Sequence, residues 1–130
     1  TLPYPGIMEM LSGLAGLGIP RAVLSNKPDE LTQAVVTGLF PQAGFSVVRG
    51  ETPAFPRKPE PASVLDIAKI LGAEPGEILY VGDTNVDMRT AHNAGMRPIG
   101  ASWGFRSIQE LVESGAEVVI TQPSELLRLF

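Results

Sequence analysis

Apolar residues along this chain recur in two alternating patterns, one typical of helices and one of buried strands. Helical spacing predicts helices over 7–17, 28–39, 62–71, 84–94, 108–112 and 123–130. Short apolar runs predict strands at 21–24, 45–48, 78–81, 97–100 and 118–120. Because these runs are continuous rather than alternating, both faces of the sheet are expected to be buried. The order of elements predicts an α/β fold with a mostly parallel, doubly wound sheet covered by helices.

Residues 50–61 interrupt this alternation. The segment contains Pro53, Pro56, Pro59 and Pro61. Proline cannot donate to a strand ladder or a helix interior, so the segment is predicted to be an irregular loop. Lys58 lies inside it.

Composition narrows the class of protein. A length of 130 residues predicts one domain over 1–130, and 44% hydrophobic with 18% charged residues is ordinary for a globular chain. The net charge of −4 gives no basic face for nucleic acid, and no apolar run is long enough to span a membrane. The absence of cysteine excludes disulfides and zinc–thiolate sites. With no visible secretory signal, a cytoplasmic location is expected.

Two carboxylates follow the predicted strand 78–81. Asp83 stands where the strand should stop, and Asp87 comes four residues later, inside the next predicted helix. Ligands of open α/β sheets bind at the carboxyl ends of strands, and Mg²⁺ prefers one or two carboxylates together with water and a substrate phosphate. The pair is therefore predicted to form a magnesium site. The alternative is that Asp83 only caps the helix.

Polar groups also follow the two preceding strands. Ser25 and Asn26 come after the first strand, and Lys58 lies in the loop after the second. The alternatives are that Ser25 and Asn26 form only a cap or a turn, and that Lys58 is a solvated loop lysine. Together with the carboxylates, a hydroxyl, helix-start N–H groups and an ammonium suit phosphoryl transfer.

Other candidates carry weaker signals. Trp103 and Phe105 flank Gly104 in a predicted loop and could line a substrate pocket or pack over the sheet edge. The single histidine, His92, lies in the middle of a predicted helix and is interpreted as a surface or packing residue. These residues supply no activated nucleophile.

Four motifs in order carry a resemblance to a known superfamily: Tyr4–Gly6, Leu24–Pro28, Lys58–Pro61, and Val81–Thr84 with Asp87. Ala94–Met96 and Ser102–Arg106 extend the match, which covers essentially the whole chain. The chain resembles the core of a haloacid dehalogenase superfamily phosphatase of the phosphoglycolate phosphatase type. The resemblance implies a Rossmann-like, three-layer core.

The resemblance also implies a role for each matching residue. Ser25 and Lys58 would be the catalytic residues that this chain supplies. Ser25 would bind the phosphoryl group with help from the Asn26 backbone, and Lys58 would neutralise the nucleophile and the phosphate. Asp83 would ligate Mg²⁺, and Asp87 would support the ion through water. The substrate would be a small phosphorylated metabolite such as 2-phosphoglycolate.

One part of the superfamily pattern is missing. The Asp-x-Asp motif, whose aspartates act as nucleophile and general acid/base, is absent, as are its strand and the cap domain that follows. In the superfamily that strand lies between the strands equivalent to 21–24 and 78–81. These two strands could pair directly, or a strand from a missing N-terminal piece or a neighbouring molecule could fill the slot. We favour the second arrangement and expect the 130-residue chain alone to be inactive.

Three other functions stay open on sequence. A phosphomutase of the same superfamily would use the same residues, and a dehalogenase would leave Asp83 and Asp87 unused. A non-catalytic module that binds phosphate or Mg²⁺ is the alternative from another class. A receiver domain also uses acidic residues and a lysine, but its chain order does not fit Ser25, Lys58 and Asp83.

Overall fold

The computed structural model describes residues 4–41, 43–103 and 107–130. In this part of the chain, helices and strands alternate from the first helix to the last strand. The elements are α1 (Ile7–Gly16), β1 (Ala22–Pro28), α2 (Asp29–Leu39), β2 (Val47–Glu51), α3 (Ala62–Leu71), β3 (Leu79–Gly82), α4 (Asn85–Ala94), β4 (Arg97–Ala101), α5 (Ile108–Glu113) and β5 (Val118–Ile120). Short 3-10 helices cover Pro75–Glu77 and Pro123–Leu129.

The described strands form two parallel sheets. β1 pairs with β2, and a second sheet has the order β3-β4-β5. Every strand pair is parallel. This confirms the predicted α/β class with parallel pairing. β1 and β3 belong to different sheets, so the direct pairing of strands 21–24 and 78–81 is not observed.

The chain divides into two compact units. The first contains the described residues up to Pro56 together with Pro123–Phe130, and the second contains Arg57–Gln122. The first unit holds β1 and β2, and the second holds the three-stranded sheet. The single domain over 1–130 stays a prediction. Among the described helices, none is both long and apolar enough to cross a membrane.

In the first unit, α1 packs against the closing 3-10 helix. Leu11, Leu14 and Leu126 are buried. Gly13 lies at a close contact between the two helices, because a Cβ at this position would come within 2.7 Å of the Leu127 side chain. The close approach explains a glycine inside a helix, where it otherwise costs about 1 kcal/mol relative to alanine.

In the second unit, the core lies where α4 and α5 cover the sheet. Met88 of α4 and Ile99 of β4 are fully buried, as are Leu111 of α5 and Ile120 of β5. Gly100 of β4 admits the side chain of Leu111, whose Cβ would lie 3.1 Å from an added Cβ. This packing holds the carboxyl end of β3 and the start of α4 in place.

Several predicted boundaries were wrong by one to four residues. β1 extends to Pro28 because its pairing with β2 resumes there after an irregularity that follows Leu24. β2 begins at Val47 and continues past the apolar run to Glu51, because Glu51 pairs with Pro28 of β1. The predicted helix over 123–130 is a 3-10 helix. A segment this short, at the end of the described chain, forms few of the bonds that make an α-helix cooperative.

Gly50 of β2 provides a test of the packing in the first unit. A Cβ at Gly50 would lie 2.6 Å from both the Asp29 Cα and the Lys27 carbonyl oxygen, and backbone atoms cannot move aside cheaply. We expect Gly50→Ala to lower the free energy of unfolding by about 2 kcal/mol, measured by urea denaturation. Gly38→Ala is the control, because Gly38 of α2 faces open space. Equal midpoints for the two variants would contradict the described packing.

Candidate functional site

The turn from β3 into α4 has a helix cap of its own. Thr84 is the N-cap residue, and its Oγ1 accepts a hydrogen bond from the Asp87 N–H at 3.1 Å. This satisfies one of the free N–H groups at the helix start. The interpretation of Asp83 as the helix cap is therefore wrong, and its side chain is available for another purpose.

Asp87 organises the turn through both carboxylate oxygens. Its Oδ1 accepts hydrogen bonds from Lys58 Nζ at 2.7 Å and from the Tyr80 hydroxyl at 3.4 Å. Its Oδ2 accepts hydrogen bonds from the Asp83 N–H at 3.2 Å and from Thr84 Oγ1 at 3.0 Å. A carboxylate offers about four lone-pair positions, so these four donors leave little room for a direct metal ligand. Asp87 therefore holds the site together.

The Asp83 carboxylate differs from the Asp87 carboxylate in its hydrogen bonding. Within the described ranges it makes no hydrogen bond or ion pair, and the residue is half-buried at the carboxyl end of β3. No group of three histidine or acidic side chains suited to a metal occurs in the same ranges. A Mg²⁺ ion bound here would take one direct ligand from Asp83 and would need its remaining ligands from water, phosphate and groups supplied elsewhere.

Lys58 is held in the site rather than solvated. Its side chain is 13% exposed and forms an ion pair with Asp87, whose side chain is 11% exposed. The interpretation of Lys58 as a solvated loop lysine is therefore wrong. The structure brings Lys58 and Asp87 together although 29 positions separate them in sequence.

Tyr80 is a site residue that sequence reasoning missed. It is buried in β3, and its hydroxyl reaches the Asp87 carboxylate. Burial raises the pKa of the Tyr80 phenol, and the neighbouring negative charge of Asp87 raises this pKa further. Tyr80 lies inside an apolar strand run and looked like a packing residue. A buried hydroxyl needs a hydrogen-bond partner, and this requirement is the signal that could have identified Tyr80 from the sequence.

The Tyr80 phenol should therefore stay neutral at a pH where an ordinary tyrosine ionises. The chain has two tyrosines, so Tyr4→Phe leaves Tyr80 as the only phenol. We expect the folded variant to show no phenolate absorbance at a pH of about 10, and the unfolded chain to show it. A pKa raised in the folded state contributes stability below the unfolded pKa, and this stability is lost as the pH rises above it. Normal titration of the folded variant would contradict the buried contact.

Ser25 and Asn26 lie within β1 rather than after it. They occupy the irregular stretch between Leu24 and Pro28, where the regular pairing with β2 is interrupted. The Ser25 Oγ accepts a hydrogen bond from the Lys27 N–H at 3.1 Å. This bond is the turn interaction given as the alternative interpretation. Both residues belong to the first unit, and their predicted phosphate binding stays a prediction.

Two aromatic candidates and the single histidine remain. Trp103 follows β4 in a turn and is half-buried, and Phe105 lies outside the described residues. Their predicted role in a substrate pocket stays a prediction. His92 is exposed on α4, in line with its interpretation as a surface residue.

A family model described as haloacid dehalogenase-like hydrolase matches residues 1–101. The chain is 33% identical over 129 residues to a phosphoglycolate phosphatase of Aquifex aeolicus, covering 99% of this chain and 59% of that protein. It is 32% identical to a phosphoglycolate phosphatase of Pectobacterium atrosepticum, covering 95% of this chain and 53% of that protein.

A crystal structure shows the same fold. A Lactobacillus delbrueckii protein named as a candidate phosphoglycolate phosphatase superposes with a TM-score of 0.92 at 37% identity, over 98% of this chain and 53% of the other. The predicted Rossmann-like fold class is thereby confirmed. The chain spans a little over half the length of the relatives it matches.

Proposed function

The chain belongs to the haloacid dehalogenase-like hydrolase family, and we propose that its full-length protein is a Mg²⁺-dependent phosphatase of small phosphate monoesters. Two relatives above 30% identity bear the name phosphoglycolate phosphatase, which supports 2-phosphoglycolate as a candidate substrate. We also propose that residues 1–130 form one core domain of that protein and that it acts in the cytoplasm.

The contrast between the two acidic side chains carries this proposal. The Asp87 carboxylate is filled by donors from its own chain, whereas the half-buried Asp83 carboxylate, within the described ranges, is not engaged. A carboxylate that loses solvent without gaining a partner is costly unless a cation occupies the site. Asp83 would hold Mg²⁺ directly, and Asp87 would support the ion through water.

The other residues of the chain would bind and orient the phosphate. Lys58 would place its ammonium against phosphate oxygens while Asp87 fixes its position. Ser25 would donate its hydroxyl to the phosphoryl group, with the Asn26 backbone assisting. A bound Mg²⁺ would offset the charge of the transferring group. The nucleophile and the general acid/base would come from an Asp-x-Asp motif outside these 130 residues.

The open strand edges support a missing strand. In the described part of the chain, β1 pairs only with β2 and β3 pairs only with β4, so each keeps one edge free. Val81 of β3 is 37% exposed, and β1 residues 22–24 are only half-buried. Free edges of apolar strands are normally covered. We therefore propose that a strand carrying the Asp-x-Asp motif, from an N-terminal piece or a neighbouring molecule, pairs at these edges.

Amide hydrogen exchange tests the missing strand. We expect amides of residues 22–24 and 79–82 to exchange at least about tenfold more slowly in the full-length protein than in the 130-residue chain, because pairing protects them. β4 is the internal control, since β3 and β5 already flank it. Equal protection of β1 and β3 in both proteins would contradict the strand-complementing partner.

A phosphate-release assay tests the proposed function. The full-length protein should hydrolyse 2-phosphoglycolate or a related small monoester with Mg²⁺ and lose this activity with a chelator. The 130-residue chain should be inactive under the same conditions because it lacks the nucleophile. Magnesium-dependent turnover by the purified 130-residue chain would overturn the proposal that the nucleophile lies elsewhere.

A further inference from the structure

Asn93, near the end of α4, contacts the loop that carries Lys58. Its side-chain Nδ2 donates a hydrogen bond to the Pro59 carbonyl oxygen at 3.0 Å. Asn93 is exposed to solvent, and sequence gave no reason to single it out. Because Pro59 is the neighbour of Lys58, this bond holds the main chain from which the lysine side chain extends.

The other end of the same lysine is held by the same helix. Lys58 Nζ lies 2.7 Å from the Asp87 Oδ1, and Asp87 is in the first turn of α4. Asn93 lies six positions after Asp87, which is about 9 Å along a helix axis. The helix therefore holds both the main chain next to Lys58 and the Lys58 ammonium. The N-cap of the same helix, Thr84, holds the turn at Asp83.

The loop needs such an anchor because it contains no regular structure. Residues 52–61 form no helix or strand, and a turn bond from the Glu60 N–H to the Arg57 carbonyl oxygen spans Lys58. A lysine side chain has many rotamers, so an ion pair at its tip alone would leave its backbone free to shift. Charged groups act best on a reacting phosphate when the supporting residues hold them in advance.

We infer that Asn93 is a positioning residue for Lys58, and that its bond to the Pro59 carbonyl oxygen sets where the lysine ammonium stands. The inference rests on the proposed function, in which Lys58 acts on the phosphate. It assigns to α4 a second task besides presenting Asp87. If the bond were purely structural, its loss would loosen the loop without changing the position of the Lys58 ammonium.

Kinetics of the full-length protein separate the two roles. We expect Asn93→Ala to lower kcat about tenfold while KM changes less than about twofold. If Asn93 acts through Lys58, the same substitution has no further effect in a Lys58→Ala background. Alanine favours a helix more than asparagine does, so α4 itself is not weakened. An equal loss in both backgrounds would overturn the inference.

Two further variants sharpen the assignment. His92→Ala is the matched control, because His92 is the exposed neighbour of Asn93 on the same helix and stands outside the proposed site. It should leave kcat and KM unchanged. Asn93→Asp keeps the shape but removes the N–H donor, so it should behave like Asn93→Ala. Full activity of Asn93→Asp would show that the bond to Pro59 does not matter.

A measurement independent of turnover separates this inference from the proposed function. Acetic anhydride labelling followed by mass spectrometry reports the reactivity of Lys58, with exposed Lys69 of α3 as the internal reference. Asn93→Ala should raise the labelling of Lys58 relative to Lys69, and His92→Ala should not. Unchanged labelling would overturn the inference. Unchanged turnover of Lys58→Ala would instead reject the proposed function of the lysine, and labelling alone would then decide the role of Asn93.

Discussion

Replacing Asp83 by asparagine in the full-length protein is expected to abolish magnesium-dependent phosphate release, with kcat lowered about a thousandfold. The Asp83 carboxylate makes no hydrogen bond or ion pair within the described ranges, so its conversion to an amide breaks none there. The variant should therefore fold as the wild type does, because it loses only the negative charge. The loss of activity would then report the metal site rather than the fold.

The matched control for Asp83→Asn is Glu113→Gln. Glu113 is an exposed carboxylate at the end of α5 that bonds to Gln109, and the amide can keep that contact. Its kcat and its melting temperature should match those of the wild type. Turnover of Asp83→Asn within a factor of about two of the control would reject Asp83 as the group that holds the ion.

Gly82→Ala is expected to have the second-largest effect, because the last residue of β3 lies against Asp87. An added Cβ would stand 2.6 Å from the Asp87 Cγ and 2.7 Å from its Oδ2. Carbon atoms pack at about 3.5–4.0 Å, so one of the two residues must move. Asp87 cannot move cheaply because four donors hold its carboxylate. We expect kcat to fall about a hundredfold and stability to fall by about 2 kcal/mol.

The control for Gly82→Ala is Gly76→Ala. Gly76 lies in the short 3-10 helix before β3, and an added Cβ meets nothing within 4 Å. Thermal unfolding and phosphate release of both variants should be measured in the same full-length background. If Gly82→Ala and Gly76→Ala have the same activity, the close contact between Gly82 and Asp87 does not shape the site.

The sequence predicted the elements of the fold well because most have clear local signals. Gly72 and Gly95 follow α3 and α4 directly and end them in the left-handed conformation, which glycine adopts readily. The ends of β1 and β2 could not be predicted in the same way. Pairing between the two strands continues into polar residues, and that pairing depends on tertiary contacts.

The sequence predicted the residue types of the candidate site but not the hydrogen bonds among them. Asp83 and Asp87 stand out as acidic residues at a strand end, and Lys58 stands out in a proline-rich loop. Asp87 receives three donors from the adjoining strand end and turn and a fourth from distant Lys58, and these contacts are known only from the folded structure. Tyr80 and Asn93 look like a strand residue and a surface residue until their hydrogen-bond partners are known.

The most direct test of this account is a titration of the full-length protein with Mg²⁺ by calorimetry, comparing the wild type with Asp83→Asn and Asp87→Asn. We expect Asp83→Asn to bind Mg²⁺ at least about tenfold more weakly, because it loses the one direct ligand that we propose among the described residues. Asp87→Asn should weaken binding less if Asp87, as proposed, supports the ion only through water. Wild-type Mg²⁺ affinity in Asp83→Asn would contradict the assignment of Asp83 as the direct ligand.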